Sequence, residues 1–392
     1  MIFTASSLYQ VTIAQLTPLQ LVLVGTTLEL AVLVFEAPTG VIADVFSRRL
    51  SVIIGVLLIG LGFILEGSIP IFSTILLAQV IWGLGYTFTS GATQAWITDE
   101  IGEAAAGRAF LRSSQLGQIG ALVGIAAGML VGSLAVNLPI ILGGVLIIGL
   151  GLILTGVMPE TGFNPTPREE RNSWQSMRDT FFQGVGMVRQ RPALLTILAI
   201  GLFYGLYSEG FDRLWTMHIV DDLGFPALFS LQPVVWLGFM RAGGILLSVG
   251  ATELLRSRLH TDQHKSVARA LMGITVGLVL GLFSFAAAGG FAWALLAYWL
   301  IYVTRTMIEP LYTAWVNQRL DSRVRATVIS MSGQVDAIGQ VASGPLVGLI
   351  GNLVSVRAAL TCTGFILSPV LALFARVQRQ EPLEELENLA AD

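Results

Sequence analysis

Long apolar runs, broken by short polar or charged clusters, recur from one end of the chain to the other. Their length, with no two-residue alternation, reads as helix rather than strand. Eleven runs are long enough to cross a bilayer: 19–43, 50–65, 71–97, 109–131, 138–157, 194–220, 228–252, 268–288, 291–316, 326–350 and 358–376. A twelfth, 2–16, is too short for a full crossing and carries Thr4, Ser6, Ser7, Thr12 and Gln15. It reads as the outer part of a first helix whose beginning is missing.

The polar connections carry a sidedness. Of the 22 lysines and arginines, eighteen fall in or beside alternate connections: Arg48 and Arg49; Arg108 and Arg112; Arg168, Arg171, Arg178, Arg189 and Arg191; Arg256, Arg258, Lys265 and Arg269; Arg319, Arg323 and Arg325; Arg376 and Arg379. Cytoplasmic loops collect such residues, so these connections are inside, and twelve helices with both chain ends cytoplasmic is the simplest topology. The one long connection divides the chain into an N-terminal bundle (1–158), a cytoplasmic loop (159–192), a C-terminal bundle (193–378) and a tail (379–392). In that loop Trp174, Met177, Phe181, Val185 and Val188 recur at helical spacing. They suit a helix lying on the inner membrane surface, or one packed on the bundle.

The halves also share a pattern. QAWITDEI from Gln94 aligns with TAWVNQRL from Thr313 at an offset that also matches Gln115 with Gln334 and Gly120 with Gly339. Parallel halves related by an axis along the membrane normal are a transporter architecture.

Composition narrows the classes further. The chain of 392 residues is 54% hydrophobic and 12% charged, with mean hydropathy +0.76, whereas soluble domains are about one-quarter charged. Twelve helices use about 240 residues and leave no room for a large soluble catalytic domain. A net charge of −3 gives no nucleic-acid footprint. A single cysteine, Cys362, excludes intrachain disulfides, and three histidines near span ends or in a loop offer no metal or catalytic constellation. No G-x-x-x-x-G-K-[ST] segment is present for ATP drive. Neither an enzyme nor a cofactor is expected.

GVIADVFSRR, from Gly40 to Arg49, places a glycine, then an aspartate four on, then paired basic residues between the second and third helices. This loop resembles the signature loop of the major facilitator superfamily. Together with the two halves, the basic central loop and the Pro159–Thr161 tripeptide, the resemblance covers essentially the whole chain, and its general look is similar to bacterial drug-efflux members. It departs at Val45 and Ser47, where a basic residue and a glycine are usual. It also lacks the Gly-Pro of the antiporter signature in helix five, where Gly120, Gly124, Gly128 and Gly132 repeat instead. The resemblance implies an all-α membrane protein of two six-helix bundles related by pseudo-two-fold symmetry. It also implies that Asp44 caps a neighbouring helix while Arg48 or Arg49 pairs with Asp99 or Glu100 as a latch of the outward-open state. Read from the residues alone, Gly40 permits close backbone approach and the arginines are inner-surface cations.

Ionisable groups within spans cost about 2.5–3.5 kcal/mol each at mid-helix, so they face a cavity or a partner. The acids are Glu29, Glu36, Glu209, Asp212, Glu309 and Asp336, and the bases are Arg213, Arg241 and Arg305. Glu209 with Arg213, and Arg305 with Glu309, stand four apart as structural pairs. Glu29, Asp212 and Asp336 then become the candidates for carrying a proton, with interhelical ion pairing as the competing account and Arg241 the nearest spare cation. Trp82, Tyr86, Phe203, Tyr207, Trp215, Trp236, Tyr302 and Trp315 are candidate cavity aromatics. Gln115, Gln118, Gln334 and Gln340 are candidate hydrogen-bonding groups for substrate or for another helix.

These readings converge on a monomeric secondary transporter in a bacterial inner membrane, exporting a small organic molecule by alternating access with proton influx. Uptake or facilitated diffusion of a metabolite, and a non-transporting receptor or scaffold, are the alternatives.

Overall fold

The computed structural model describes residues 1–165, 192–227, 230–258, 264–318 and 322–376. The helix expected within the central loop, with Trp174 and its companions, lies outside them. Every regular element among the described residues is helical. The elements are α1 (Ile2–Thr12), α2 (Pro18–Val45), α3 (Arg48–Ser68), α4 (Phe72–Thr89), α5 (Ala92–Ile101), α6 (Glu103–Gly132), α7 (Leu138–Val157) and α8 (Pro192–Met217). A π-helical turn, His218–Leu223, follows, and then α9 (Pro233–Arg258), α10 (His264–Ala286), α11 (Phe291–Gln318), α12 (Ser322–Leu353) and α13 (Val356–Leu367).

Ten stretches among the described residues are long and apolar enough to cross a membrane. α1, with 11 residues, reaches about 16 Å, half the ~30 Å hydrocarbon layer. Two expected spans are interrupted. The run 71–97 becomes α4 and α5, separated at Gly91, whose φ of +70° suits glycine. The last span turns at Ser368 before helix resumes to residue 376.

Helix starts follow local chemistry. Thr17 and Gln20 form a reciprocal capping box ahead of Pro18, with bonds of 3.3 and 3.0 Å. Ser47 accepts from Leu50 N–H at 2.8 Å, and Ser355 accepts from Ala358 N–H at 3.1 Å. Pro38, Pro310 and Pro345 sit inside helices, as membrane helices tolerate.

Contacts group the described residues into two units, one drawn from Met1–Ser176 and Ala227–Arg241, the other from Met177–Pro226 and Ala242–Asp392. In the first, α3 packs on α4 and α7, α2 lies against α4, and α1 rests on α7 and α6. In the second, α8 packs on α12 and α13, while α10 packs on α11 and α13. The repeated glycines of α6 are not equivalent: a Cβ on Gly128 would meet Met1 and Thr4, one on Gly132 would meet Val234 and Pro139, and one on Gly120 would meet no described atom.

Candidate functional site

α8, α11 and α12 enclose a cavity of about 430 Å³ within the second unit. Its wall carries Tyr204, Tyr207 and Asp212 from α8, Arg305, Glu309 and Tyr312 from α11, and Ser332, Asp336 and Gln340 from α12. α8 and α12 approach closely because glycines stand at their contact. A Cβ on Gly205 would run into the carbonyl of Asp336, and one on Gly339 would lie 2.6 Å from the carbonyl of Leu202. That proximity sets Asp336 in the wall.

Charges in the wall pair across helices. The Arg305 guanidinium forks onto Asp212, Nη2 to Oδ2 at 2.8 Å and Nη1 to Oδ1, and lies 5.7 Å from the centre of the Tyr207 ring. This corrects the expected Arg305–Glu309 pair. Sequence spacing brings those two within reach on one helix, but a planar fork finds its two-bonded partner in the carboxylate opposite. Asp212 thereby gains the partner it lacked in sequence, and Glu309 has no hydrogen bond or ion pair among the described residues. Asp336 accepts from Gln340 Nε2 at 2.8 Å, an uncharged group. The other expected pair forms: Arg213 Nε donates to Glu209 at 2.9 Å, with Glu209 2% exposed.

Of the eight candidate aromatics, only Tyr207 lines the cavity. Trp315 is 1% exposed and packs on Phe374. Trp215 stacks on Tyr298, and Trp82 lies among Phe3 and Phe63. The rings that do line it, Tyr204 and Tyr312, stand edge to face at 6.1 Å. Their hydroxyls are held by Thr275 at 2.9 Å and the Ile197 carbonyl at 2.7 Å. Sequence reading passed over both, since a tyrosine on an apolar helix carries no mark of the face it occupies. Gln334, on the cavity-bearing α12, does not line it. Glu29, half-buried on α2, Gln115, exposed on α6, and Arg241 on α9 belong to the first unit.

The 40–49 loop builds a second polar centre in the first unit. Arg48 bonds Asp99 at the end of α5 and also Asp44, one turn before it, at 3.1 Å. Glu160 accepts from Ser47 Oγ at 2.8 Å and from Arg49 N–H at 2.9 Å. Capping oxygens at α3 therefore come from Ser47 and Glu160, where the positive end of the helix dipole favours a carboxylate. Glu100 accepts from Thr161 N–H and Oγ1, both at 2.7 Å, and from Gly162 N–H at 2.8 Å. Trp96 Nε1 donates to the Pro159 carbonyl at 2.7 Å. The Arg49 side chain reaches the Thr155 carbonyl. A Cβ on Gly40 would meet no described atom within 4 Å, so the close approach expected there is not what this glycine serves.

A further acid escaped notice because it falls one residue past an apolar run. Glu66, near the end of α3, is 1% exposed and accepts from Ser6 Oγ at 2.6 Å, Gln10 Nε2 at 2.8 Å and Gln79 Nε2 at 3.2 Å. It joins α1, α3 and α4.

Comparison with known proteins agrees with this architecture. The family model described as Major Facilitator Superfamily matches residues 1–344. A Bacillus subtilis (strain 168) protein, the uncharacterized MFS-type transporter YxaM, is 23% identical over 355 residues, covering 90% of this chain and 86% of its own. A crystal structure of the nucleoside transporter NupG superposes with TM-score 0.74 at 14% identity, covering 97% of this chain and 94% of that one. A peptide transporter POT in complex with sulfate does so with TM-score 0.68 at 13% identity, covering 96% and 94%. At such identities the likeness speaks for the fold alone. Helices of membrane length, the helical architecture and the family match together make the chain a multi-pass membrane transporter, not an enzyme, and a member of the major facilitator superfamily.

Proposed function

We propose that the chain is a proton-coupled exporter of small organic cations, acting as a monomer in a bacterial cytoplasmic membrane with both ends inside. The observation that carries this reading is Asp336, a carboxylate in the cavity wall whose hydrogen-bond donor is the uncharged Gln340. Three acids, Asp212, Glu309 and Asp336, share that wall with one base, Arg305. Its surplus negative charge and its three tyrosine rings favour a cationic, partly aromatic ligand. A carboxylate that holds either a proton or a cation, but not both, exchanges one for the other, and that competition is the elementary requirement of antiport.

In this reading Asp336 binds the coupling proton and the Arg305–Asp212 fork keeps the neighbouring charges neutral to one another. The Arg48–Asp99 pair serves as a latch of one transport state, which each cycle makes and breaks. A second reading, uptake of a polar metabolite, is favoured by the hydroxyl-rich wall of Tyr204, Tyr312 and Ser332. NupG and POT are called nucleoside and peptide transporters, which suits such cargo.

Purified protein in liposomes separates the two. Export predicts that an outward-directed flux of organic cations follows an imposed pH gradient and that Asp336→Asn abolishes that dependence. Gradient-driven accumulation of nucleosides or peptides, with cations inert, would instead establish uptake.

A further inference from the structure

At the end of α8 opposite the long connection, His218 opens the π-helical turn and is fully buried, 0% exposed. Its Nδ1 lies 2.7 Å from Oδ2 of Asp222, one turn on, and its Nε2 lies 3.1 Å from the carbonyl oxygen of Phe285 near the end of α10. A backbone carbonyl only accepts, and so does an ionised carboxylate. Neutral imidazole has a single N–H, so one of these two short contacts would set lone pair against lone pair. We propose that His218 is held as an imidazolium, donating from both ring nitrogens, and that with Asp222 it forms a proton-sensitive clamp joining the π turn to α10 and α13.

Two further features hold the ring. The bond to Asp222 is charge-assisted on both sides, the strongest class of side-chain hydrogen bond. Phe285 stands edge-on at 5.2 Å and restricts the plane of the imidazole.

The charged and titratable surroundings are few among the described residues. The turn itself contributes Asp222 and its neighbour Asp221. α13 contributes Arg357, whose Nε is 3.7 Å from the same Oδ2 of Asp222. α10 contributes the Phe285 carbonyl and ring. Asp222 is thus shared between a buried cation and an exposed one, and through it the turn is tied to two other helices. Its side chain is 33% exposed, which gives protons a route to the pair. Loss of one proton leaves a single N–H, which the carboxylate holds at Nδ1; Nε2 then faces the Phe285 carbonyl lone pair to lone pair, and the tie from the π turn to α10 is lost. The clamp lies apart from the cavity and stands whether or not the cavity works as proposed.

With three histidines in the chain, the double variant H260Q/H264Q leaves His218 as the sole imidazole for nitrogen NMR of full-length, nitrogen-15 histidine-labelled protein. At about pH 8, where a free imidazole of pKa about 6.5 is neutral, His218 should report two protonated ring nitrogens. A neutral tautomer there overturns the imidazolium. Adding Asp222→Asn should convert the signal to a neutral ring and raise amide exchange across 218–223 about tenfold, as expected when a local tie is removed. An unchanged imidazolium, or unchanged exchange, overturns the role given to Asp222.

Discussion

Asp212 and Arg305, 93 residues apart in sequence, meet as a two-bonded fork in the wall of the cavity. Each sits in a predicted span without a partner at helical spacing that the fold uses. Their pairing joins α8 to α11 and leaves Glu309 and Asp336 as the wall's remaining acids. A mutually neutralised Arg305–Asp212 pair, with two further carboxylates beside it, follows from that one contact.

Arg305→Lys keeps the charge but replaces a planar fork with a single ammonium, so one of the two bonds is lost. Both partners are partly exposed, with side chains 31% and 42% accessible, so solvent screening limits the loss of stability to about 1 kcal/mol. Thermal unfolding in detergent measures this. Transport should fall further than stability, by about tenfold or more, because the guanidinium also lies over Tyr207.

Asp336→Asn preserves shape and the contact to Gln340 while removing the titratable group. Substrate counterflow, which needs no net proton movement, should survive within about threefold, whereas pH-gradient-driven flux should drop by at least about tenfold. Equal loss of both would assign Asp336 to substrate binding alone.

Gly205→Leu should be damaging although the position carries no charge. A side chain there must displace the α12 backbone at Asp336, and overpacking of this kind costs about 1–3 kcal/mol. Reduced unfolding temperature together with lost transport is the expected outcome, and Gly149→Leu, where a Cβ would meet no described atom, is the control.

Glu66→Leu removes the acceptor shared by Ser6, Gln10 and Gln79. Each buried donor left unsatisfied costs about 1–3 kcal/mol, so the first unit should be destabilised by about 2–5 kcal/mol. Glu66→Gln retains an acceptor and should be milder. Circular dichroism melts of the two variants check the order.

Glu160→Gln weakens the carboxylate at the start of α3, where Ser47 and the Arg49 N–H converge on it. Caps and dipole contacts of this type are worth about 1 kcal/mol. A similar decrease in unfolding free energy, without change in substrate affinity, is expected from titration calorimetry and thermal melts.

Hydrophobic run length was enough to read a multi-pass membrane protein and the rough limits of most helices, because both depend on local composition along one dimension, and the family loop was legible as a short motif from Gly40 to Arg49. The helix breaks at Gly91 and Ser368 were less legible, since neither interrupts an apolar run. Glu209 and Arg213 were readable as a pair because four residues bring them onto one face of one helix. The identical spacing of Arg305 and Glu309 misled, since a competing carboxylate came from elsewhere in the chain.

What the sequence determined by itself was therefore everything governed by hydrophobicity over about 20 residues and by contacts within a helical turn. Tertiary structure alone decided that Arg305 chooses Asp212, that Tyr204 and Tyr312 rather than the tryptophans face the cavity, and that Glu66 and His218 are buried among specific partners. The physical reason is rotation about the helix axis. In a helix apolar on nearly every face, the sequence leaves that angle open, and close packing between neighbours, as at Gly205 and Gly339, sets it.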